Sequence, residues 1–582
     1  MWLTKYYMCI NYIYNTFLFW INMLKLSTFP FNTLKTRPKV SDNVSTSILL
    51  QWSYIRQAMA WAYEYLPMWY RVLRNIENIV REEMDNAGYH EMIMTILTPR
   101  DLWETTNRWE IPEYFKVPWW GNTEYRISPT NEENVTNIFK EYIQSYKDLP
   151  TCVYHIQKKF RNEKRAKSGL LRWREFLMKD AYSFHSSIED FEKFYEDVKD
   201  VYMRVFDRLW IANDTVIADA DGWAISDKNS HEFQTYVDIG EDTIVSDSSG
   251  YCYNLELASW VADDKNIDDE ELKMEYIDSV PEIITMEKMT SYFNAPSWQM
   301  LKTVVYKTDS WKYFSIVIRW DLDVNEIKVR KFVANKYNEW FSQANEQDLE
   351  KLWTVRWFIT PIKESWLEMD NYWDESLKTA KNYFGWANAI AKSTKNVNLS
   401  DLDIKEFADF NEPKEWFTSV NVPWEKLVFK KACEVWNIFH LWVKYSEPFG
   451  LSFLDENNKI NNRVEMWCYG IGVSRLMWVL AEYFKTENGI SWPENIAPYN
   501  YYIIVIWEDN LEKAQEIAKK LESEWKSVIL DDRMWKKVWF GQKAWDCELF
   551  WIPNRIVISP KTIEQWWYEL TKRGDESKIV KF

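Results

Sequence analysis

The stretch KFRNEKRAKSGLLRWREFLMKDAYSF, residues 159–184, decides the fold. Two β-prone ends flank a polar middle, so the stretch predicts a hairpin with Arg161 and Glu163 at its inner end. Between Lys158 and Lys179 nine basic residues stand against two acidic ones, a local balance of +7 in a chain of net charge −17. Any polyanionic partner must therefore be met by local patches, because the overall field repels it. A planar guanidinium offers two aligned donors to phosphate oxygens, which makes Arg161 the first candidate for such a contact.

Working outward, VEMWCYGIGVSRLMWVL at 464–480 carries Gly470 and Gly472, which allow close backbone approach, and then Arg475 at the opening of an amphipathic helix. Upstream, YRVLRNIENIVREEMDNA at 70–87 has apolar residues at helical spacing and stops at Gly88. The run HEMIMTILTP that follows reads as a strand closing at Pro99. A second helix-rich stretch covers about 186–210, and strand-like sequence follows to about 258. Beyond Pro493 and Pro498, YYIIVIW, LEKAQEIAKKLESEW, VILDD and RIVIS alternate as strand and helix, the signature of a small α/β unit.

Together these pieces resemble the three motifs of the class II aminoacyl-tRNA synthetases, and in detail the bacterial-type prolyl enzymes, from Met23 to Phe582. The resemblance implies an α+β multidomain protein: an antiparallel-sheet catalytic core, an α+β editing insertion and an α/β anticodon-binding domain. Boundaries are expected at 1–22 (a non-native extension), 23–258 and 406–495 (the core), 259–405 (the insertion) and 496–582 (the anticodon unit). It also implies the site. Arg161 would clamp the α-phosphate of ATP, Glu163 accept from the adenine amino group and Phe176 stack on the base, while Gly470 and Gly472 let the backbone approach ATP and Arg475 faces its γ-phosphate. In SPTNEENV at 128–135, Thr130 and Glu132 would hold the imino group of proline, with Arg161, and with His231 and Glu232 of SHEFQ as the far wall. A structural role fits His231 as well.

Lys302, the loop WFITP ending at Pro361, and Asn382, where the family's pattern often has histidine, map onto the editing site. Asp532 and Arg533 map onto the anticodon surface, with Lys536, Lys537 and Lys543 as phosphate contacts. The implied ligands are proline, tRNA(Pro), and ATP with Mg2+ as the substrate complex, in a homodimer built on motif 1. A sibling synthetase for threonine, histidine or glycine shares motifs 2 and 3, but the T-x-E loop and the insertion disfavour it. Retention of Arg161, Glu163 and Arg475 speaks against a non-catalytic paralogue.

The six cysteines lie far apart without a C-x-x-C pair, so neither a disulfide framework nor a zinc site is indicated and a cytoplasmic location is expected. Polar residues interrupt the apolar first 22 residues, so no membrane span is read there, and Met23 looks like a natural start.

The composition is anomalous: 37 Trp against 13 Gly, when glycine ordinarily supplies about 7% of residues. Many indoles stand where the chain calls for a residue without a Cβ, as at Trp69, Trp119, Trp120, Trp223, Trp386, Trp566 and Trp567. The expectation is that a codon meaning glycine in the source, most plausibly UGA, has been rendered as tryptophan. Glycine at 467 would complete the turn before Arg475, and glycine at 357 the loop before Pro361. Trp103, Trp109 and Trp492 match positions where the family itself uses tryptophan.

Overall fold

The computed structural model describes residues 23–38, 44–59, 62–118, 124–162, 173–221, 230–337, 339–354, 358–363, 368–415, 417–486, 489–534 and 538–581. Residues 1–22, Glu163, Trp119, Trp120, Trp223, Trp357, Lys536 and Lys537 lie outside them. In chain order the elements that frame the site are β1 (Leu24–Lys25), α1 (Pro67–Asn86), β2 (His90–Glu91), α2 (Glu132–Tyr142), β3 (Thr151–Phe160), β4 (Glu175–His185) and α3 (Ile188–Arg208). Next come β5 (Thr215–Ala220), β6 (Ser230–Tyr236), β7 (Asp242–Ser246) and β8 (Cys252–Asn254).

An inserted unit follows, with β9 (Glu275–Asp278), β10 (Leu301–Thr308), β11 (Tyr313–Arg319), β12 (Phe341–Gln343), β13 (Asp370–Asp374), β14 (Tyr383–Trp386), β15 (Lys392–Val397) and β16 (Glu406–Ala408). The chain then returns through β17 (Val428–Trp442), β18 (Glu465–Ile471) and α4 (Val473–Tyr483). It closes with β19 (Tyr501–Val505), α5 (Leu511–Ser523), β20 (Val528–Asp531), α6 (Phe540–Phe550), β21 (Asn554–Ile558), β22 (Trp567–Lys572) and β23 (Lys578–Lys581).

Among the described residues the largest sheet has nine strands in the order β6-β5-β8-β7-β17-β18-β4-β3-β2, with β6 also paired to β17. Its central pairings β7/β17, β17/β18, β18/β4 and β4/β3 are antiparallel. Alternation along each strand splits its residues between two faces. One face is apolar: Tyr202 and Phe206 of α3, Val72, Ile76 and Val80 of α1, and Leu476 and Leu480 of α4 belong to one fully buried cluster with Phe233, Tyr469 and Ile471 of the strands. The spacing of those residues on α1 is what places that helix there, since only one stripe of it is apolar. The opposite face is left to polar chemistry.

The helix read at 70–87 begins three residues earlier, at Pro67, which suits a first turn whose N–H groups have no partner. The run 90–99 is not one strand; pairing is confined to His90–Glu91 and Leu97–Pro99. The inserted unit carries a three-stranded sheet β9-β15-β14 and a five-stranded sheet β12-β10-β11-β13-β16. Because β16 pairs in parallel with β13, residues 406–408 belong to the insertion, and the core sheet resumes at Val428 rather than at 406. In the C-terminal unit the order is β1-β20-β19-β21-β22-β23, so a strand from the start of the chain forms its edge. No helix among the described residues is long and apolar enough to cross a membrane.

Helix ends repeat one geometry with two different residues. After α1, Gly88 sits at φ +83°, its N–H bonds Asp85 O at 2.9 Å, and the next N–H reaches Met84 O at 3.1 Å. This is a left-handed helix stop that suits glycine. After α3 the same two bonds run from Trp210, at φ 64°, and Ile211; after Glu346–Lys351 they run from Trp353, at φ 56°, and Thr354; after α5 they run from Trp525, at φ 62°, and Lys526. Trp551 and Trp566 end α6 and Pro560–Glu564 with φ 49° and 58°. Trp311, at φ 64°, occupies the left-handed place in the β10–β11 turn.

Candidate active site

The site is built on the polar face around the β4/β18 pairing. Asp180 of β4 lies opposite His155 of β3 on one side and Gly470 of β18 on the other; Gly470 pairs with Asn437 of β17, and Asn437 with Glu232 of β6. These residues form one row on one face. Gly470 is its floor: a Cβ there would sit 2.3 Å from Met178 Cε and 3.2 Å from Asp180 Oδ1.

At one end stands the hairpin. Arg161, half-buried, keeps its backbone N–H on Arg174 O at 3.0 Å, and its guanidinium lies 5.3 Å from the centre of the Phe176 ring. The next residue, Leu177, donates its N–H to Ser474 Oγ at 3.1 Å, and Ser474 precedes Arg475. The hairpin strand that leads to Arg161 and the helix start that carries Arg475 are thus tied together, three residues along the hairpin from Arg161. Arg475 pairs with Glu434 Oε2 at 2.7 Å and donates to Glu434 O at 3.1 Å. Burial works against its charge, but Glu434 more than compensates and holds the guanidinium charged. Gly472 caps α4 at φ −74°, so it needs no left-handed freedom; its Cβ would lie 3.2 Å from Arg475 Cβ, which puts its role in spacing. Trp467 lies within β18, stacked on Phe191, and is not part of a turn.

Thr130 and Glu132 meet beneath the hairpin. The Thr130 hydroxyl donates to Glu132 Oε1 at 2.5 Å, and both residues are buried. Arg108 reaches Glu132 at 3.3 Å and Glu133 at 2.9 Å while its guanidinium lies among the rings of Trp103, Tyr114 and Tyr445. Burial pushes the Glu133 carboxyl up, and Arg108 pulls it partly back. Nothing in DLWETTNRW marks Arg108 as an arginine that closes back on a helix start about twenty-five residues later.

Other expected members are placed elsewhere. His231 is one residue from Glu232 and therefore on the opposite face, where it bonds Tyr195 Oη at 2.6 Å and Asp219 Oδ1 at 2.9 Å. It is no wall of the proline pocket. Glu232 is on the face of Asp180, three strand spacings away, roughly 14 Å between backbones. It sits with Gln234, Asn254 and Asn437; burial first, then the carboxylates of Glu434 and Asp242, push its own carboxyl well above the usual range.

In the insertion Lys302 lines a cavity of about 150 Å³ with Thr303, Gln343, Ile359 and Trp386. Its ammonium donates to Leu322 O and lies 3.3 Å from Asp323, and burial lowers its pKa. Pro361 is buried two residues beyond Ile359. Asn382 does not line the cavity. At φ 56° it is a buried latch, accepting from Leu272 N at 2.8 Å and donating to Glu270 O at 2.9 Å.

At the C-terminal unit Arg533 is 8% exposed and bridges Asp531 and Asp546, Asp532 accepts from Ser27 N and Oγ at 2.8 Å, and Lys543 is buried on Val505 O and Asp531 O. These three of the five groups expected at an RNA surface are satisfied within the chain; Lys536 and Lys537 lie outside the described residues.

Residues 115–484 match a family described as tRNA synthetase class II core domain (G, H, P, S and T). Similar curated proteins are the proline–tRNA ligases of Caldicellulosiruptor saccharolyticus (35% identical, 92% of this chain and 93% of that one), Sulfurihydrogenibium sp. (37%, 95% and 96%) and Bacillus subtilis (35%, 91% and 93%). The fold is similar to a prolyl-tRNA synthetase from Cryptosporidium parvum complexed with halofuginone and AMPPNP, at a TM-score of 0.53 and 13% identity, over 92% of this chain and 72% of that one. With a class II core matched over most of its length and the likeness to proline–tRNA ligases running almost end to end, the chain belongs to the proline–tRNA ligase family of class II synthetases.

Proposed function

We propose that this protein activates proline with ATP and esterifies it to the 3′-terminal ribose of tRNA(Pro). The observation that carries the reading is the Leu177–Ser474 bond, which ties the strand of the Arg161 hairpin to the start of the Arg475 helix. A proline carboxylate oxygen attacks the α-phosphorus, the bond to the bridging oxygen breaks, and pyrophosphate leaves. Negative charge gathers on the phosphate oxygens, so Arg161 acts there and Arg475 on the far phosphates, with Phe176 under the adenine and Glu163 on its amino group. Positioning and fixed charge supply the rate. Glu434, and Glu232 joined to it through Asn437, would meet the Mg2+ that arrives with ATP.

Isotope exchange between pyrophosphate and ATP, run with each amino acid in turn, should respond to proline. A response to threonine, histidine or glycine instead would make it a sibling enzyme, and no response at all a non-catalytic paralogue. Glu132→Gln should raise KM for proline about 10- to 100-fold, the worth of one charge-assisted hydrogen bond, and leave KM for ATP in place.

The inserted unit is proposed to hydrolyse alanine mischarged onto tRNA(Pro), because a pocket that admits proline excludes the smaller alanine by only about 1–3 kcal/mol per missing methylene. The Lys302 cavity supports this. Lys302→Ala should spare proline-dependent exchange and change the rate of Ala-tRNA(Pro) deacylation; equal deacylation rates would remove Lys302 from that site. The C-terminal α/β unit is proposed to contact the anticodon, through residues other than Asp532 and Arg533. Exposed Ile93, Ile96 and Leu97 after α1 support a homodimer through motif 1, working in the cytoplasm.

Finally, the functional polypeptide is proposed to carry glycine at many of the tryptophan positions. The helix ends support this: Trp210, Trp353 and Trp525 make the bonds that Gly88 makes, with a backbone that bulky residues rarely adopt. So does crowding. The rings of Tyr202 and Trp436 have centroids 2.9 Å apart, inside the spacing of about 4.5–7 Å that aromatic pairs keep. Sequencing the gene decides it: UGG codons at these positions would end the idea.

A further inference from the structure

Under the Thr130–Glu132 loop lies a charged cluster that none of these roles uses. Lys159 Nζ is 3.0 Å from Asp180 Oδ2 and 2.9 Å from His155 Nε2, and it donates to Asn131 Oδ1. Tyr182 Oη donates to Asp180 at 3.4 Å and accepts from the Asn131 N–H at 3.0 Å, with Thr130 Oγ1 at 3.5 Å. Lys159, His155 and Tyr182 are 0% exposed, Asn131 1% and Asp180 2%, so no solvent screens them.

Stability is a weak reason to keep such a cluster, because replacing a buried ion pair with well-packed apolar residues is often neutral or favourable. Its connectivity is more telling. Both arms end on Asn131: the ammonium on its side chain, the phenol on its backbone. Asn131 lies between Thr130 and Glu132 and precedes α2, so its orientation sets the direction in which the Glu132 carboxylate leaves the helix. Burial works to raise the Asp180 carboxyl, but the Lys159 ammonium overrides this and keeps it charged, while burial and Lys159 together keep His155 neutral. The donors and acceptors therefore have fixed identities.

We infer that Lys159, Asp180 and Tyr182 are positioning residues that hold the Thr130–Glu132 subsite in its binding form and so set the affinity for proline without touching it. The inference rests on proline activation as proposed above. Two variants of the full chain test it: Tyr182→Phe, and the double variant Lys159→Met with Asp180→Leu. Exchange kinetics are read with proline and ATP varied separately, next to urea unfolding. Expected are a rise of about tenfold or more in KM for proline, a KM for ATP within about twofold of the parent, and a double variant that unfolds at or above the parent's urea midpoint. The inference is overturned if the proline KM of Tyr182→Phe stays within about twofold of the parent, if both KM values rise together, or if the double variant cannot fold. A parent protein without proline-dependent exchange would instead remove the function itself, so the two failures are distinct.

Discussion

Arg161→Ala is expected to lower proline-dependent ATP–pyrophosphate exchange about 10²- to 10³-fold while the urea midpoint stays put. The magnitude is that of removing one preorganised donor from a transition state that concentrates charge, about 2.7–4 kcal/mol. The fold should not notice, because the strand is held by the Arg161 backbone N–H and, among the described residues, the half-buried side chain lies against Phe176. Arg161→Lys should recover only part of the rate, since an ammonium is a point charge without the paired donors. Exchange near the parent rate in Arg161→Ala would show that another group meets the α-phosphate.

Replacing Trp210, Trp353, Trp525 and Trp566 together by glycine is expected to raise the unfolding free energy by roughly 4 kcal/mol. Each left-handed residue with a Cβ costs about 1–2 kcal/mol, and glycine gives back part of that gain through a freer unfolded chain. Little apolar burial is lost with the indoles, which are 67%, 84%, 54% and 74% exposed. The four sites lie at different helix ends, so the gains should add. Trp103→Gly is the contrasting arm. That indole is 0% exposed and packed against Tyr114, so its loss should cost about 3–5 kcal/mol. A fall in the urea midpoint of the four-site variant would mean that these positions tolerate a bulky side chain.

Local pattern was enough for the elements that make the site. The stripe on α1, the hairpin with Arg161 and Phe176, and the glycines before Arg475 are all signalled within a few residues of themselves. What could not be read depends on pairing across distance. Glu232 and His231 were assigned to one pocket wall, yet strand alternation sends them to opposite faces, and only the β6/β17 register shows which face carries Asn437 and Glu434. Lys159 and Lys179 counted towards a basic patch; both are buried, because the hairpin register sets Lys159 beside Asp180 and turns Lys179 towards Tyr202. Asp531, Asp532 and Arg533 look like surface charge until α6 supplies Asp546 and the chain start supplies Ser27. Strand 406–408 carries no mark of its parallel partner β13, since parallel pairing needs no turn between the strands.

The two-residue strand β1 sets an order of assembly. Its partner β20 is about five hundred residues away, as are Ser27 and Asp532, so closing this contact costs more chain entropy than almost any other pairing in the molecule. During synthesis, the earlier-made segment must wait for the sheet about five hundred residues later to emerge. Until then β20 offers an unprotected edge to any passing extended chain, and the seal that native docking provides arrives late.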